Sequence, residues 1–232
     1  MNNIDNKHKI AIIDYGMGNL FSVKHACSAV GLVPVITKDK KEILSSDAII
    51  LPGVGSFKTA MKILKKLDII AVIRDLVGSD KPILGICLGA QLFLSQSYEF
   101  GLTDGINIIE GEVLPFENVL FKERKLKIPH ISWNNIYRKD SDDKDFFADD
   151  SLLGGVRNNE FMYFVHSFYI KPKDINTVLA LSKYGSCEFC SVVRYKNIFA
   201  CQFHPERSGV KGLRIYENLA NLLIAKGMWG EK

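Results

Sequence analysis

Four short, almost wholly apolar runs, residues 10–13, 33–36, 48–51 and 82–87, alternate with segments of helical period through the first half of the chain. A strand that is apolar on both faces must be covered on both, so this alternation predicts an α/β fold with a parallel sheet between helical layers. Leu20, Val23, Cys27 and Val30 recur at helical spacing and stop at Gly31, a residue suited to the left-handed turn after a helix. Residues 40–45 read as a short helix. Ser56 is placed to cap a helix carrying Phe57, Ala60, Met61, Leu64 and Leu67 on one face, and residues 88–97 read as a further helix.

The second half changes character. Segments 106–113, 127–137, 161–170, 178–181, 190–195 and 198–203 read as mixed or antiparallel strands, joined by turns such as Tyr184-Gly185-Ser186. Residues 139–150 are acidic and polar and read as an exposed loop. A closing helix with Leu213, Tyr216, Ala220 and Leu223 on one face ends at Gly227. With 232 residues and no obvious linker, one domain over 1–232 is expected, residues 1–8 forming a polar extension.

Several function classes fall away on composition. The longest strictly apolar runs, residues 69–73 and 161–165, are far short of the roughly 20 residues a spanning helix needs. The N-terminus is too polar for a secretory signal. Thirty basic against 26 acidic residues are interspersed, which leaves no electrostatic footprint for nucleic acid. Five cysteines, an odd number, suit reduced thiols in a cytoplasm better than a disulfide framework.

The chemistry concentrates at Gly85-Ile86-Cys87-Leu88-Gly89, a G-x-C-x-G pattern between an apolar strand and a helix. Glycine lets the backbones of a sharp strand-to-helix turn approach, and such an elbow projects its central side chain outward as a nucleophile. At a helix N-terminus the local field favours thiolate, and the N–H of Leu88 is left to bind a developing oxyanion. A second glycine-rich turn, Pro52-Gly53-Val54-Gly55-Ser56, also links strand to helix, and in a parallel sheet both turns open at the carboxyl edge, where ligands bind. Its Val54 N–H can supply the second oxyanion donor. Because glycines flank Val54, its peptide can reorient, and the hole is expected to be conditional. The same turn lacks the Lys-Ser/Thr of a phosphate-binding Walker loop.

Among five histidines, His204 is the candidate base. It ends a strand-like run, and Pro205 holds it at the rim. Glu206 shares its face in an extended chain and can fix its tautomer. His130 and His166 lie in strand-like segments, where a structural histidine is the expectation. Cys187-Glu188-Phe189-Cys190 spaces two thiols for opposite faces of a strand, which opposes chelation, and no second ligand pair completes a metal site.

Taken in order, Pro-Gly-Val-Gly-Ser-Phe from Pro52, Gly-Ile-Cys-Leu-Gly-Ala-Gln from Gly85 and Gln-Phe-His-Pro-Glu-Arg-Ser from Gln202 resemble the three motifs of triad-type (class I) glutamine amidotransferases. The segments 14–20, 129–134 and 164–169 are similar to those of the glutaminase subunits of bacterial imidazole glycerol phosphate synthases, and the resemblance runs from about Ile10 to Gly227. It implies a flavodoxin-like fold and a Cys87, His204, Glu206 triad hydrolysing glutamine through a thioester, with Val54 and Leu88 as oxyanion donors. It also implies that Gly53, Gln91 and Ser167 hold glutamine, and that no metal or organic cofactor takes part. Ammonia would pass to a (β/α)8-barrel synthase (cyclase) subunit in a heterodimer, which makes imidazole glycerol phosphate and AICAR in histidine biosynthesis. Asn19, Trp133 and Arg207 fall at partner-facing positions. The chain departs from the family at Ser132, usually glycine, and at Arg207, usually lysine, and residues 1–8 and 139–150 are additions. Amidation of a surface-polysaccharide sugar and stand-alone γ-glutamyl hydrolysis remain alternative uses of the same chemistry.

Overall fold

The computed structural model describes residues 8–138, 146–148 and 151–227. The expected polar extension lies outside the described residues except for His8, and so does most of the expected acidic loop. What is described of that loop is not all exposed. Phe147 is buried in the core, its N–H donating to the Val156 carbonyl at 2.8 Å.

The first half alternates as the apolar runs predict: β1 (Lys9–Ile13), α1 (Leu20–Ala29), β2 (Val33–Thr37), α2 (Lys40–Ser45), β3 (Ala48–Gly53), α3 (Phe57–Lys66), α4 (Ile69–Asp75), β4 (Ile83–Cys87) and α5 (Leu88–Leu92). The remainder is β5 (Leu94–Ser97), β6 (Thr103–Asp104), β7 (Ile109–Pro115), β8 (Leu120–Phe121), β9 (Arg124–Lys125), β10 (His130–Ile136), β11 (Glu160–His166) and β12 (Phe168–Pro172), then β13 (Val178–Tyr184), β14 (Cys187–Tyr195), β15 (Ile198–Cys201) and α6 (Gly209–Gly227). The main sheet runs β2-β1-β3-β4-β15-β14-β12-β7-β5-β6, with β13 on β14. Its first five strands are mutually parallel and almost free of polar side chains. Cores form on both faces: α1 and α6 cover one, and α2 to α5 the other.

Local chemistry explains several element ends. Asn19 caps α1 by accepting from Ser22 N, Asp39 caps α2 by accepting from Glu42 N at 2.9 Å, and Gly31 takes φ +82° after α1. Ser56 holds the capping position of α3 but its side chain makes no cap. The carboxylate of Glu99 accepts the Phe57 N–H instead.

The run 69–73, given no element by the sequence, forms α4, burying Ile69, Val72 and Ile73; so short an apolar run has no period clear enough to read. Two expectations are corrected. Residues 88–97 are not one helix, since α5 ends at Leu92 and β5 follows, pairing in parallel with β7. Pairing with a distant strand outweighs helix propensity there. Residues 161–170 are two strands. β11 pairs with β10 in a separate two-stranded sheet, β12 pairs with β7 and β14 in the main one, and the chain changes sheet at Ser167.

Candidate active site

Because β3, β4 and β15 are adjacent and parallel, their carboxyl ends meet at one edge. Gly53 stands opposite Cys87, and Cys201 opposite Ile86, so the residues just past β15 lie beside the elbow. Cys87 itself has φ +54° and ψ −109°, a conformation costly for a side-chain-bearing residue. It is maintained by close backbone packing. A Cβ on Gly89 would fall on the Leu51 carbonyl, and one on Gly85 would meet Phe93 and the Ala90 backbone. At Gly53 the same space holds the Tyr15 hydroxyl, Gly89 N and Leu88 Cβ, so β3 closes on the elbow only with glycine there.

The Cys87 thiol faces a pocket of about 270 Å³ lined by Val54, Gly55, Leu88, Gln91, Glu99, Pro129, Val165, His166, Ser167 and Phe168. It is placed to donate to the Val165 carbonyl at 3.8 Å and receives Gln202 Nε2 at 3.8 Å. The other four cysteines differ chemically. Burial pushes Cys27 up to about 12 and raises Cys187, Cys190 and Cys201, which keeps them as thiols at neutral pH. Cys187 and Cys190 pack against opposite cores, so the pair does not converge.

His204 and Glu206 form a buried pair, Nδ1 to Oε1 at 2.8 Å. The reason is not an extended strand: β15 ends at Cys201, and a turn of 3-10 helix, Pro205–Arg207, folds Glu206 back onto the ring. The His204 backbone is fixed on both sides. Its N–H donates to Tyr163 O at 2.9 Å, and its carbonyl accepts from Ser208 Oγ at 2.7 Å. Burial alone would lower the imidazole, but the charge and hydrogen-bonding capacity of Cys87, then of Glu206, push it up to about 10. Nδ1 is taken by Glu206, and Nε2 is buried with no hydrogen-bond partner among the described residues.

The expected residues therefore fall into two groups. Val54, Cys87, Leu88, Gln91 and Ser167 share the pocket, with Gly53 beneath it and His204 and Glu206 behind. Trp133 and Arg207 lie outside it on a common aromatic cluster. Trp133, 52% exposed, meets Tyr163 edge-on at 6.0 Å, and the Arg207 guanidinium lies 4.6 Å over the same ring. Asn19 caps α1, which packs against the Pro205–Arg207 turn.

Gln91, expected to hold glutamine, donates its Nε2 to Phe168 O at 2.9 Å and Gln202 Oε1 at 3.1 Å, so both amide hydrogens are committed and Gln91 Oε1 is the acceptor available to a ligand. The sequence assigned no role to Gln202, Glu99 or Tyr216. Glu99 brings the pocket a carboxylate raised by burial. Tyr216 lies close enough to Glu206 for that charge to add to the effect of burial in raising its phenol; the Tyr216 hydroxyl and Glu206 Oε2 are both buried without a direct partner. Gln202 belonged to a quoted motif, whereas Glu99 and Tyr216 carried no local signal.

His130 and His166 turn out to be buried against each other, Nδ1 of His130 and Nε2 of His166 3.0 Å apart. Burial pushes His130 down to about 4. Burial, with the charge of His130 next and that of His204 adding to it, takes His166 down to about 3 against the opposing Phe168 carbonyl. Both are lowered below an unfolded value near 6.5, so the unfolded chain binds more protons in acid. Stability they contribute is present above about pH 6.5 and is lost as pH falls through about 4 and about 3. Urea midpoints measured from pH 7 to 3.5 should fall across this window. The fall should be shallower in His130→Asn, and equal slopes would disprove this origin.

Residues 11–221 match the family described as glutamine amidotransferase class-I. The chain is 46% identical to "Imidazole glycerol phosphate synthase subunit HisH 1" of Campylobacter jejuni, over 92% of this chain and 100% of that one. It is 45% identical to "Imidazole glycerol phosphate synthase subunit HisH" of Methanosarcina barkeri, over 92% and 98%. The structure of PurLQS from Thermotoga maritima superimposes with a TM-score of 0.70 at 20% identity, over 94% of this chain and 99% of that chain, a likeness of fold. With the elbow cysteine, the buried His-Glu pair and the flavodoxin-like sheet already described, these similarities make the chain a member of the class I glutamine amidotransferases and, within them, of the HisH subunit family.

Proposed function

We propose that this chain, acting as one amidotransferase domain, is the glutaminase subunit of an imidazole glycerol phosphate synthase and serves histidine biosynthesis in the cytoplasm. The observation that carries the reading is the His204–Glu206 pair buried behind the Cys87 elbow at the floor of a ligand-sized pocket. In this reading Cys87 Sγ attacks the side-chain amide carbon of glutamine, and the C–N bond breaks as imidazolium His204 gives its proton to the leaving ammonia. A thioester remains. Acylation removes the sulfur's charge, the first influence raising His204, so the imidazole becomes able to take a proton from water. Water then attacks the thioester as His204 takes its proton, glutamate leaves, and the thiolate–imidazolium pair is restored. Glu206 keeps the Nδ1 proton in place throughout.

Val54 and Leu88 N–H groups are assigned to the oxyanion, Val54 through a peptide that the flanking glycines leave free to turn. Gln91 Oε1 and the Glu99 carboxylate suit the α-ammonium of glutamine, with Ser167 at the pocket wall and Gly53 beneath. Asn19, Trp133 and Arg207 would meet a (β/α)8-barrel synthase subunit that consumes the ammonia, and the cluster on Tyr163 ties that face to His204 through the Tyr163 carbonyl. Arg207 keeps the positive charge usual at this position but presents a planar fork, not a point charge.

The test is glutamine turnover with and without a barrel-synthase (cyclase) subunit and its ligand. Addition should raise turnover by at least about tenfold, in keeping with a conditional hole in which one donor is worth about 10²–10³. Turnover that the partner leaves unchanged would assign the chain to stand-alone γ-glutamyl hydrolysis.

A further inference from the structure

The buried histidines belong to a longer chain of hydrogen bonds whose direction the geometry settles. The Phe168 carbonyl can only accept, so His166 Nδ1, 2.8 Å away, must carry hydrogen and His166 Nε2 must be the acceptor. His130 Nδ1, 3.0 Å from that Nε2, is then the donor, which leaves His130 Nε2 to accept. It does so from the Ser132 hydroxyl at 2.9 Å, with Asn134 Nδ2 further off at 3.4 Å and already donating to Lys183 O. Both rings are neutral Nδ1–H tautomers, in line with their lowered affinity for protons. Phe116, Phe164, Tyr184 and Phe189 pack around them, which leaves both rings buried and their nitrogens committed to each other, Ser132 and the Phe168 carbonyl.

The inner end is the same Phe168 carbonyl that accepts from Gln91 Nε2. Its two lone pairs are both used, one by the relay and one by Gln91. We infer that Ser132, His130 and His166 form a one-way hydrogen-bond relay that positions Gln91 for glutamine, with Ser132 as the positioning residue at its outer end. Removing the Ser132 hydroxyl leaves His130 Nε2 with only the long Asn134 contact. If His130 then moves its proton to Nε2, two lone pairs meet at His166, and a matching change in His166 sets a lone pair against the Phe168 carbonyl. In the second case the Phe168 carbonyl loses its His166 donor, which frees the Phe168 peptide and with it the orientation of the Gln91 amide. The Ser132 hydroxyl thus acquires a function in this chain.

This inference rests on the glutaminase reading, and its test separates the two. The full chain is titrated with a diazoketone analogue of glutamine that alkylates Cys87. Ser132→Ala should raise the half-saturating concentration about fivefold, the effect of one neutral hydrogen bond, while the maximal inactivation rate stays within about twofold. Ser132→Thr, which returns a hydroxyl, should restore wild-type saturation. Nitrogen-15 spectra of the imidazoles should show both rings as Nδ1–H tautomers in the wild type, and that pattern should be lost in Ser132→Ala. Unchanged half-saturation in Ser132→Ala, failure of the threonine rescue, or an Nε2–H tautomer at either ring in the wild type overturns the relay. Absence of any alkylation at Cys87 overturns the glutaminase reading instead, and the spectra then still decide the relay.

Discussion

Cys87→Ala should release no measurable ammonia from glutamine, a fall of about four to six orders of magnitude, because the thioester route disappears with the sulfur. The variant should fold normally. The side chain is small, and the forces that hold its φ of +54° come from Gly85, Gly89 and the β3–β4 ladder, not from the thiol. Covalent labelling by glutamine-mimicking electrophiles should vanish with the activity. Four other cysteines remain, but burial raises all of them and leaves them poor nucleophiles, so mass spectrometry of the labelled wild type should place the adduct on Cys87 alone. Ammonia release that survives in Cys87→Ala would remove the proposed mechanism.

Gly89→Ala should damage the protein in the opposite order, through stability before chemistry. The added Cβ would sit on the carbonyl oxygen of Leu51, a fully buried residue inside β3. Neither side can yield cheaply. β3 is hydrogen-bonded on both edges, to β1 and β4, and Gly89 lies in the first turn of α5. Overpacking between two backbones lies at the severe end of its range, so a loss of about 3 kcal/mol or more is expected, read as a lowered urea midpoint at unchanged m-value. A midpoint within error of wild type would mean that the elbow relaxes more freely than its packing implies.

Legibility in the sequence followed the range of the interactions concerned. The elbow was readable because strand, glycine, cysteine and helix are contiguous, and the pattern names both the turn and the group it projects. His204 and Glu206 were readable for the same reason, although the expected geometry was wrong: a 3-10 turn at Pro205 brings the carboxylate back, not an extended chain. Gln202 stood inside a readable motif without a role, because its contact with Cys87 follows from the register between β15 and β4. Glu99 and Tyr216 had no local pattern. One reaches the pocket from beyond β5 and the other reaches Glu206 from the far helix α6. The mistaken helix over residues 88–97 has the same origin, since pairing with β7 and β6 makes Leu94–Ser97 a strand.

The sequence by itself determined the layered α/β class, the elbow cysteine and the adjacent His-Glu pair, because apolar period and short motifs act over neighbouring residues. Tertiary structure alone decided which side chains share the pocket. It decided that residues 161–170 divide between two sheets at Ser167, and that His130 and His166 meet buried, ring against ring. The physical reason is that a strand's partners lie far away in the chain. Register, once formed, places every second side chain on a given face and so turns distant residues into neighbours.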